Sequence, residues 1–315
     1  MENTTKTSFK GVILLLLTAL IWGSSFVSQS EGSKLVEAFT FNAIRTLLGA
    51  FFLLPFIFIR DKIQSKKMTG EQIEKRRADD KKILIYGSIL GVVLCAATNL
   101  QQFAFVDPNH SAGKIAFITA MYMFIVPFLG LFFKKRVSVV TWICVFIALV
   151  GLYFLCIDER GFKSISVSDI LALLCAVFFS FQILMIEKFA PNYDGIKLSC
   201  VQFFVSGLIS FVLMFIFETP KLSAIKSACI PILYSGILSC GVAYTLQIVG
   251  QKYCEATIAS ILMSLESVFA ALSEAAFAAL FMIGGKVLTL REVLGCVIMF
   301  IAILISQLSE IKRKK

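Results

Sequence analysis

The stretch KGVILLLLTALIWGSSFVSQ, residues 10–29, is apolar for about the 20 residues that an α-helix needs to cross the hydrocarbon core of a bilayer. Lys6 and Lys10 stand at its start as they would in a secretory leader. The apolar run nevertheless continues through Trp22 with no small-x-small cleavage site, so it reads as a retained helix. A similar segment, SDILALLCAVFFSFQILMI, recurs at 168–186. Working outward, apolar runs between breakers give spans at 10–29, 38–59, 81–103, 112–133, 138–156, 167–187, 196–217, 229–250, 256–283 and 290–308. Composition agrees. The chain of 315 residues is 58% hydrophobic and only 16% charged, with a mean hydropathy of +0.87, too little polar surface to coat a soluble globule. The expected fold is therefore an all-α integral membrane protein of ten transmembrane helices.

The net charge of +10 is a topology signal before it is anything else. Counted over the ten-span arrangement, one side receives 21 Lys and Arg and the other 8, with Arg45 left inside a span. The positive-inside rule then puts both termini in the cytoplasm of a multi-pass protein of the cell membrane. Basic residues gathered beside helix ends meet anionic lipid, so no nucleic-acid partner is expected. The 61–82 segment mixes Asp61, Glu71, Glu74, Asp79 and Asp80 with its bases and reads as a solvated cytoplasmic loop. The cysteines fall mostly in apolar runs, where Cys95, Cys144, Cys175, Cys200, Cys240 and Cys296 serve as small hydrophobes, and neither a disulfide framework nor a metal site is indicated.

A polar stretch at 158–166 divides the chain into a first five-helix repeat, 1–157, and a second, 167–315 with a basic tail. Leu14, Leu17 and Ala19 recur as Leu171, Leu174 and Ala176; Ala97, Leu100 and Gln101 recur as Ala243, Leu246 and Gln247. Because five is odd, the second copy enters the membrane from the opposite side. Inverted repeats of this kind place a central site between two halves that can rock. Polar side chains inside spans are costly and face protein or a wet cavity. Here they include Trp22, Ser24, Ser25, Asn42, Arg45, Asn99, Gln101, Gln102, Thr119 and Tyr122 in spans one to four, and Gln182, Gln202, Tyr244, Gln247, Glu266 and Glu274 in spans six to nine. Spans five and ten are almost without them. Each amide or hydroxyl taken singly is equally well explained as interhelical glue; the set as a whole reads as a lining. Glu266 lies close to the midplane and must be protonated, paired or wetted. For Arg45, snorkelling to the interface and anion binding stand level. His110 reads as an exposed loop residue, and Gly87-x-x-x-Gly91 as a close helix contact within the chain. No Gly-x-Ser-x-Gly, His-Glu-x-x-His or Walker loop occurs.

Trp22-Gly23-Ser24-Ser25-Phe26, Asn99-Leu100-Gln101-Gln102, Ser111-Ala112-Gly113-Lys114 with Phe117-Ile118-Thr119-Ala120 and Pro127, and the run Ser264-Leu265-Glu266-Ser267-Val268-Phe269-Ala270-Ala271-Leu272 together resemble the EamA-type branch of the drug/metabolite transporter superfamily over nearly the entire chain. The resemblance implies a ten-helix inverted-repeat transporter with cytoplasmic termini, commonly an exporter of amino acids or other small metabolites. Two departures stand out. Gly284-Gly285-Lys286 lacks the acidic residue of the usual Gly-Glu pair, and span nine carries a tandem octad, so either Glu266 or Glu274 matches the family glutamate. The expected function is secondary transport of a small organic metabolite, amino-acid-like and outward, by alternating access, with no cofactor. The candidate substrate-binding residues are Trp22, Ser25, Asn42, Arg45, Asn99, Gln102, Tyr122, Tyr244, Gln247 and Glu266. Trp22 and Tyr122 would form aromatic walls, Asn99, Gln102 and Gln247 would donate and accept hydrogen bonds, and Glu266 would recognise charge or couple to a proton or cation. The oligomeric state is left open. The alternatives are a non-transporting membrane scaffold or receptor and, behind it, an intramembrane enzyme.

Overall fold

The computed structural model describes residues 8–66, 68–107, 112–132, 137–156, 166–280 and 289–313, and those residues form helices and short connections with no strand. In chain order they are α1 (Phe9–Ser33), α2 (Ala38–Ser65), α3 (Gly70–Ala104), α4 (Ala112–Ala120), α5 (Tyr122–Phe132), α6 (Val139–Cys156), α7 (Val167–Phe189) and α8 (Gly195–Phe217). There follow α9 (Leu222–Ser227), α10 (Cys229–Leu233), a π-helical segment (Tyr234–Tyr244), α11 (Thr245–Gln251), α12 (Ala256–Met263), α13 (Glu266–Leu280) and α14 (Leu290–Arg313). Eight stretches among the described residues are long and apolar enough to cross a membrane: Phe9–Ser33, Ala38–Ser65, Gly70–Ala104, Lys114–Phe132, Val167–Asn192, Gly195–Phe217, Cys229–Gln251 and Ala256–Ala276. Two shorter apolar stretches, Val139–Phe154 and Val293–Ser306, match the fifth and tenth runs of the sequence and pack on each other through α6 and α14. His110, Gly284-Gly285-Lys286 and the 158–166 divide, apart from Ser166, lie outside the described residues.

Local chemistry explains where helices begin. Thr69 and Gln72 form a reciprocal capping box at α3, Ser166 and Asp169 another at α7, and the Asp194 carboxylate accepts from Ile196 N and Lys197 N at the start of α8, both at 3.0 Å. The capping box corrects one reading of the sequence. The charged 61–82 segment is helical up to Ser65, where α2 ends, and again from Gly70, where α3 starts. Lys, Arg, Glu and Gln are good helix formers, and nothing in water stops a helix that has already left the lipid.

Packing is organised in matched pairs. α1 lies on α12 and α13, while α7 lies on α4 and α5; α2 packs on the π-helical segment, while α3 packs on α8; α2 and α8 run along each other. Glycines set the close crossings. A side chain at Gly87 or Gly91 of α3 would collide with Val201, Gln202 or Val205 of α8, so that pair serves packing inside the chain. Gly207 of α8 seats against Leu47 and Thr46 of α2, and Gly151 of α6 against Met299 and Gly295 of α14. Chain segments collect at two ends. At one, Arg60 pairs with Asp194 (2.7 Å), Lys197 bridges Asp61 (2.9 Å) and Asp80 (2.6 Å), Arg76 pairs with Asp61, and Ser8 N donates to Tyr253 O. At the other, the Glu218 carboxylate accepts from Phe39 N, Thr40 N and Thr40 Oγ1 at 2.7–2.8 Å, and Lys114 pairs with Asp169 at 2.7 Å.

Two transmembrane stretches are broken. α4 stops and α5 restarts across Met121; α12 stops and α13 restarts across Ser264-Leu265. Tyr122 and Glu266 are the first residues of the restarted helices.

Candidate functional site

Both breaks open onto one cavity in the middle of the bundle. Its wall is built from Trp22, Phe26 and Gln29 of α1, Arg45 of α2, Gln101 of α3, Tyr122 of α5, Phe179 and Ile183 of α7, Ser239 and Tyr244 of the π-helical segment, Gln247 of α11 and Glu266 of α13. Helix geometry accounts for the grouping: Trp22, Phe26 and Gln29 are spaced i, i+4, i+7 and share one face, as do Phe179 and Ile183. The indole of Trp22 packs tilted against Tyr244 with ring centroids 4.5 Å apart, and Phe203 meets Tyr244 edge-on at 5.6 Å. Gly23 lets α1 approach so closely that the Glu266 backbone lies against it. The cavity measures about 20 Å³, room for about one water, so the conformation described is contracted around the site.

Of the ten candidate residues, six line this cavity: Trp22, Arg45, Tyr122, Tyr244, Gln247 and Glu266. The other four stand behind it. Gln102 turns away and donates from Nε2 to Gln29 O at 3.2 Å, while its neighbour Gln101, about 100° around the helix, faces in. Ser25 is buried outside the lining, and its Oγ has no hydrogen-bond partner among the described residues. Asn42 and Asn99 bond to each other at 2.9 Å. Phe26, Gln29, Gln101, Phe179, Ile183 and Ser239 were not among the candidates. Stepping i+4 and i+7 from Trp22 would have found Phe26 and Gln29.

The electrostatics are unusual for a protein interior. Arg45 and Glu266 are each 3% exposed and line the same cavity, yet no ion pair joins them. Arg45 donates from Nε to Asn42 Oδ1 at 2.6 Å and lies over the Phe41 ring at 5.3 Å, buried in protein without snorkelling to an interface. The Glu266 carboxyl sits beside the Tyr122 hydroxyl, but neither Glu266 Oε1 nor Tyr122 Oη completes a hydrogen bond among the described residues. Trp22 Nε1, Gln29 Oε1 and Gln247 Oε1 are unpartnered in the same way. A buried polar atom without a partner costs about 1–3 kcal/mol, and five such atoms lie on this wall. Glu274, eight residues on, is exposed, so of the two octad glutamates Glu266 alone faces the cavity.

Beyond the cavity, toward the end carrying Asp194, Gln247 Nε2 reaches Gln182 Oε1 at 3.4 Å and Gln182 Nε2 reaches Gln202 Oε1 at 3.5 Å. Farther along, Lys252 donates to Tyr193 O at 2.6 Å, and burial pulls its ammonium below the ordinary lysine range. Among the described residues no cluster of His, Cys, Asp and Glu could hold a metal ion.

The chain is similar to known proteins over most of its length. An uncharacterized transporter of Archaeoglobus fulgidus is 29% identical over 301 residues, covering 93% of this chain and 84% of that protein. An uncharacterized transporter of Clostridium kluyveri is 25% identical over 222 residues, 68% of each chain. A solved crystal structure superposes with a TM-score of 0.73 over 98% of this chain and 100% of the other; at 15% identity that likeness is one of fold. The EamA-like transporter family matches residues 9–157 and 166–308. The chain therefore belongs to the EamA-like transporter family, a multi-pass membrane protein of a transporter lineage and not of an enzyme one.

Proposed function

We propose that this protein is a secondary transporter of the cell membrane, with ten crossings in two inverted five-helix halves and both termini cytoplasmic. It moves a small, amino-acid-like metabolite outward by alternating access. The observation that carries the reading is the pair Arg45 and Glu266: a guanidinium and a carboxyl group, both buried, facing one cavity with no ion pair between them. A zwitterion answers both at once, its carboxylate on the guanidinium and its ammonium on the Glu266 carboxylate, with Trp22, Tyr122 and Tyr244 enclosing an apolar side chain.

Inversion is supported by the packing. Exchange of the halves maps α1 on α12 and α13 into α7 on α4 and α5, and α2 on the π-helical segment into α8 on α3, while α2 with α8 and α6 with α14 map onto themselves. The two helix breaks fall in corresponding spans, where such folds build their central sites. Near-symmetric halves have two packings close in free energy, and a solute biases them by differential affinity. Since the cavity described holds about one water, uptake of a metabolite requires the halves to part. Glu266, next to Tyr122 and unpaired, is the group that couples flux to a proton or cation.

Purified protein in proteoliposomes, assayed by counterflow with a panel of labelled amino acids under proton or sodium gradients, tests the reading. Saturable flux of at least one zwitterionic member is expected. No flux of any member under either gradient would remove the substrate class.

A further inference from the structure

Asn42 and Asn99 lie behind the cavity wall, and their hydrogen bonds form a directed chain that begins at Arg45, which donates to Asn42, which donates to Asn99, which donates to Ser210. We infer that Asn42 is a positioning residue: it holds the Arg45 guanidinium with its terminal amino groups toward the cavity, and Asn99 with Ser210 of the opposite half locks Asn42 in the one orientation able to do this. The inference rests on the cavity being the solute site.

Asn42 uses its whole amide. One Nδ2 proton goes to Thr98 O (2.9 Å), the other to Asn99 Oδ1 (2.9 Å), and Oδ1 accepts from Arg45 Nε (2.6 Å). Flipping the amide would set oxygen against two acceptors and a donor against the Nε proton, so the orientation is fixed by its neighbours. Asn99 is fixed in the same manner, because its Nδ2 donates to Cys95 O (2.8 Å) and to Ser210 Oγ (2.9 Å). The direction of the chain is therefore set by two backbone carbonyls of α3, which have no alternative polarity. All four residues are nearly or wholly buried, at 6% exposed or less.

The consequence falls on Arg45. Its Nε is tethered and the Phe41 ring covers one side, while its terminal amino groups have no hydrogen-bond partner among the described residues. A guanidinium held in this way offers its fork to a planar carboxylate; untethered, it would lose that registry while keeping its charge. Ser210 belongs to α8, so the tether also crosses between the two halves. A solute carboxylate on Arg45 is thereby connected through four side chains to the packing of α8 on α2 and α3.

Two measurements test the tether. In protein labelled with ¹⁵N-arginine, the Arg45 Nε–H resonance, assigned by its loss in Arg45→Lys, should exchange at least tenfold faster with solvent in Asn42→Ala. Ser210→Ala, which deletes a single hydroxyl, should give a smaller acceleration. Unchanged exchange in both variants would overturn the inference. In proteoliposomes the probes are labelled L-phenylalanine, L-leucine and the amines that lack their carboxylates. Asn42→Ala and Ser210→Ala should raise KM for the amino acid, about tenfold in the former, with kcat kept and amine flux unchanged. Equal losses for amino acid and amine would show a merely structural role and overturn it. If the wild type moves none of these probes, the transport reading fails, and the exchange experiment still decides the tether.

Discussion

Gly23 offers the sharpest mechanical test of how the site is built. A Cβ there would stand 2.4 Å from Phe269 Cβ, 2.7 Å from Glu266 O and 2.8 Å from Ala270 N. Two of these neighbours are backbone, so a side-chain adjustment cannot relieve the contact. Restoring van der Waals separation requires α1 and α13 to part by roughly 1 Å at the level of Trp22 and Glu266. Overpacking of this kind costs about 1–3 kcal/mol. The alanine also favours the helix by about 0.5–1 kcal/mol, which acts the other way. The net expectation for Gly23→Ala is a destabilisation of about 1 kcal/mol, at most about 2.5 kcal/mol. Gly70 is the control, because nothing lies within 4 Å of a Cβ built there, and Gly70→Ala should be neutral or slightly stabilising. Reversible unfolding in mixed micelles titrated with SDS measures both. Solute binding by Gly23→Ala should weaken at least tenfold, since Glu266 moves with α13. If Gly23→Ala proves as stable as Gly70→Ala, the close crossing that brings Glu266 into the cavity is refuted.

Two further substitutions separate transport from mere packing. Glu266→Gln keeps the shape of the site and removes its only acid, so flux in proteoliposomes should lose its pH dependence; an unchanged pH profile would strip Glu266 of a coupling role. A scaffold whose polar groups serve only packing would gain thermal stability from Glu266→Leu with no cellular phenotype, whereas a transporter should lose flux. Glu218→Ala removes the carboxylate that accepts three hydrogen bonds at the start of α2, and should cost about 1–2 kcal/mol in the same SDS titration.

Much of this architecture was legible because lipid imposes simple demands. The eight longest apolar runs emerge as the eight stretches long and apolar enough to cross a membrane, and the polar residues singled out within them supply seven of the cavity-lining groups, since a buried polar group in a span must face something other than lipid. The register within a face was harder. Adjacent Gln101 and Gln102 are equivalent in composition, and only the packing of α3 on α7 and α8 turns the first inward and the second toward Gln29. The breaks at Met121 and Ser264-Leu265 carry neither Gly nor Pro and leave no signal in the sequence, and the π-helical segment Tyr234–Tyr244 carries Gly236 and Gly241, a pattern that α-helices share. Asn42 and Asn99 are candidates on polarity alone, which marks a group as needing a partner without saying which; the structure gives them each other. Glu218 stands outside every span, where a census of polar residues within spans does not reach, although it grips the helix that carries Arg45.

The central claim is that two five-helix halves enter the membrane from opposite sides around Arg45 and Glu266. Corresponding connections, the one after α2 and the one after α8, must then lie on opposite faces of the cell. Single cysteines introduced by Lys75→Cys near the start of α3 and by Lys226→Cys in α9, both at exposed positions just past those connections, can be probed in a cysteine-free background with a membrane-impermeant maleimide on intact cells. The account predicts labelling of the residue-226 cysteine from outside, and of the residue-75 cysteine only after the membrane is opened. Labelling of both from the same side would contradict the inverted arrangement and the alternating-access mechanism built on it.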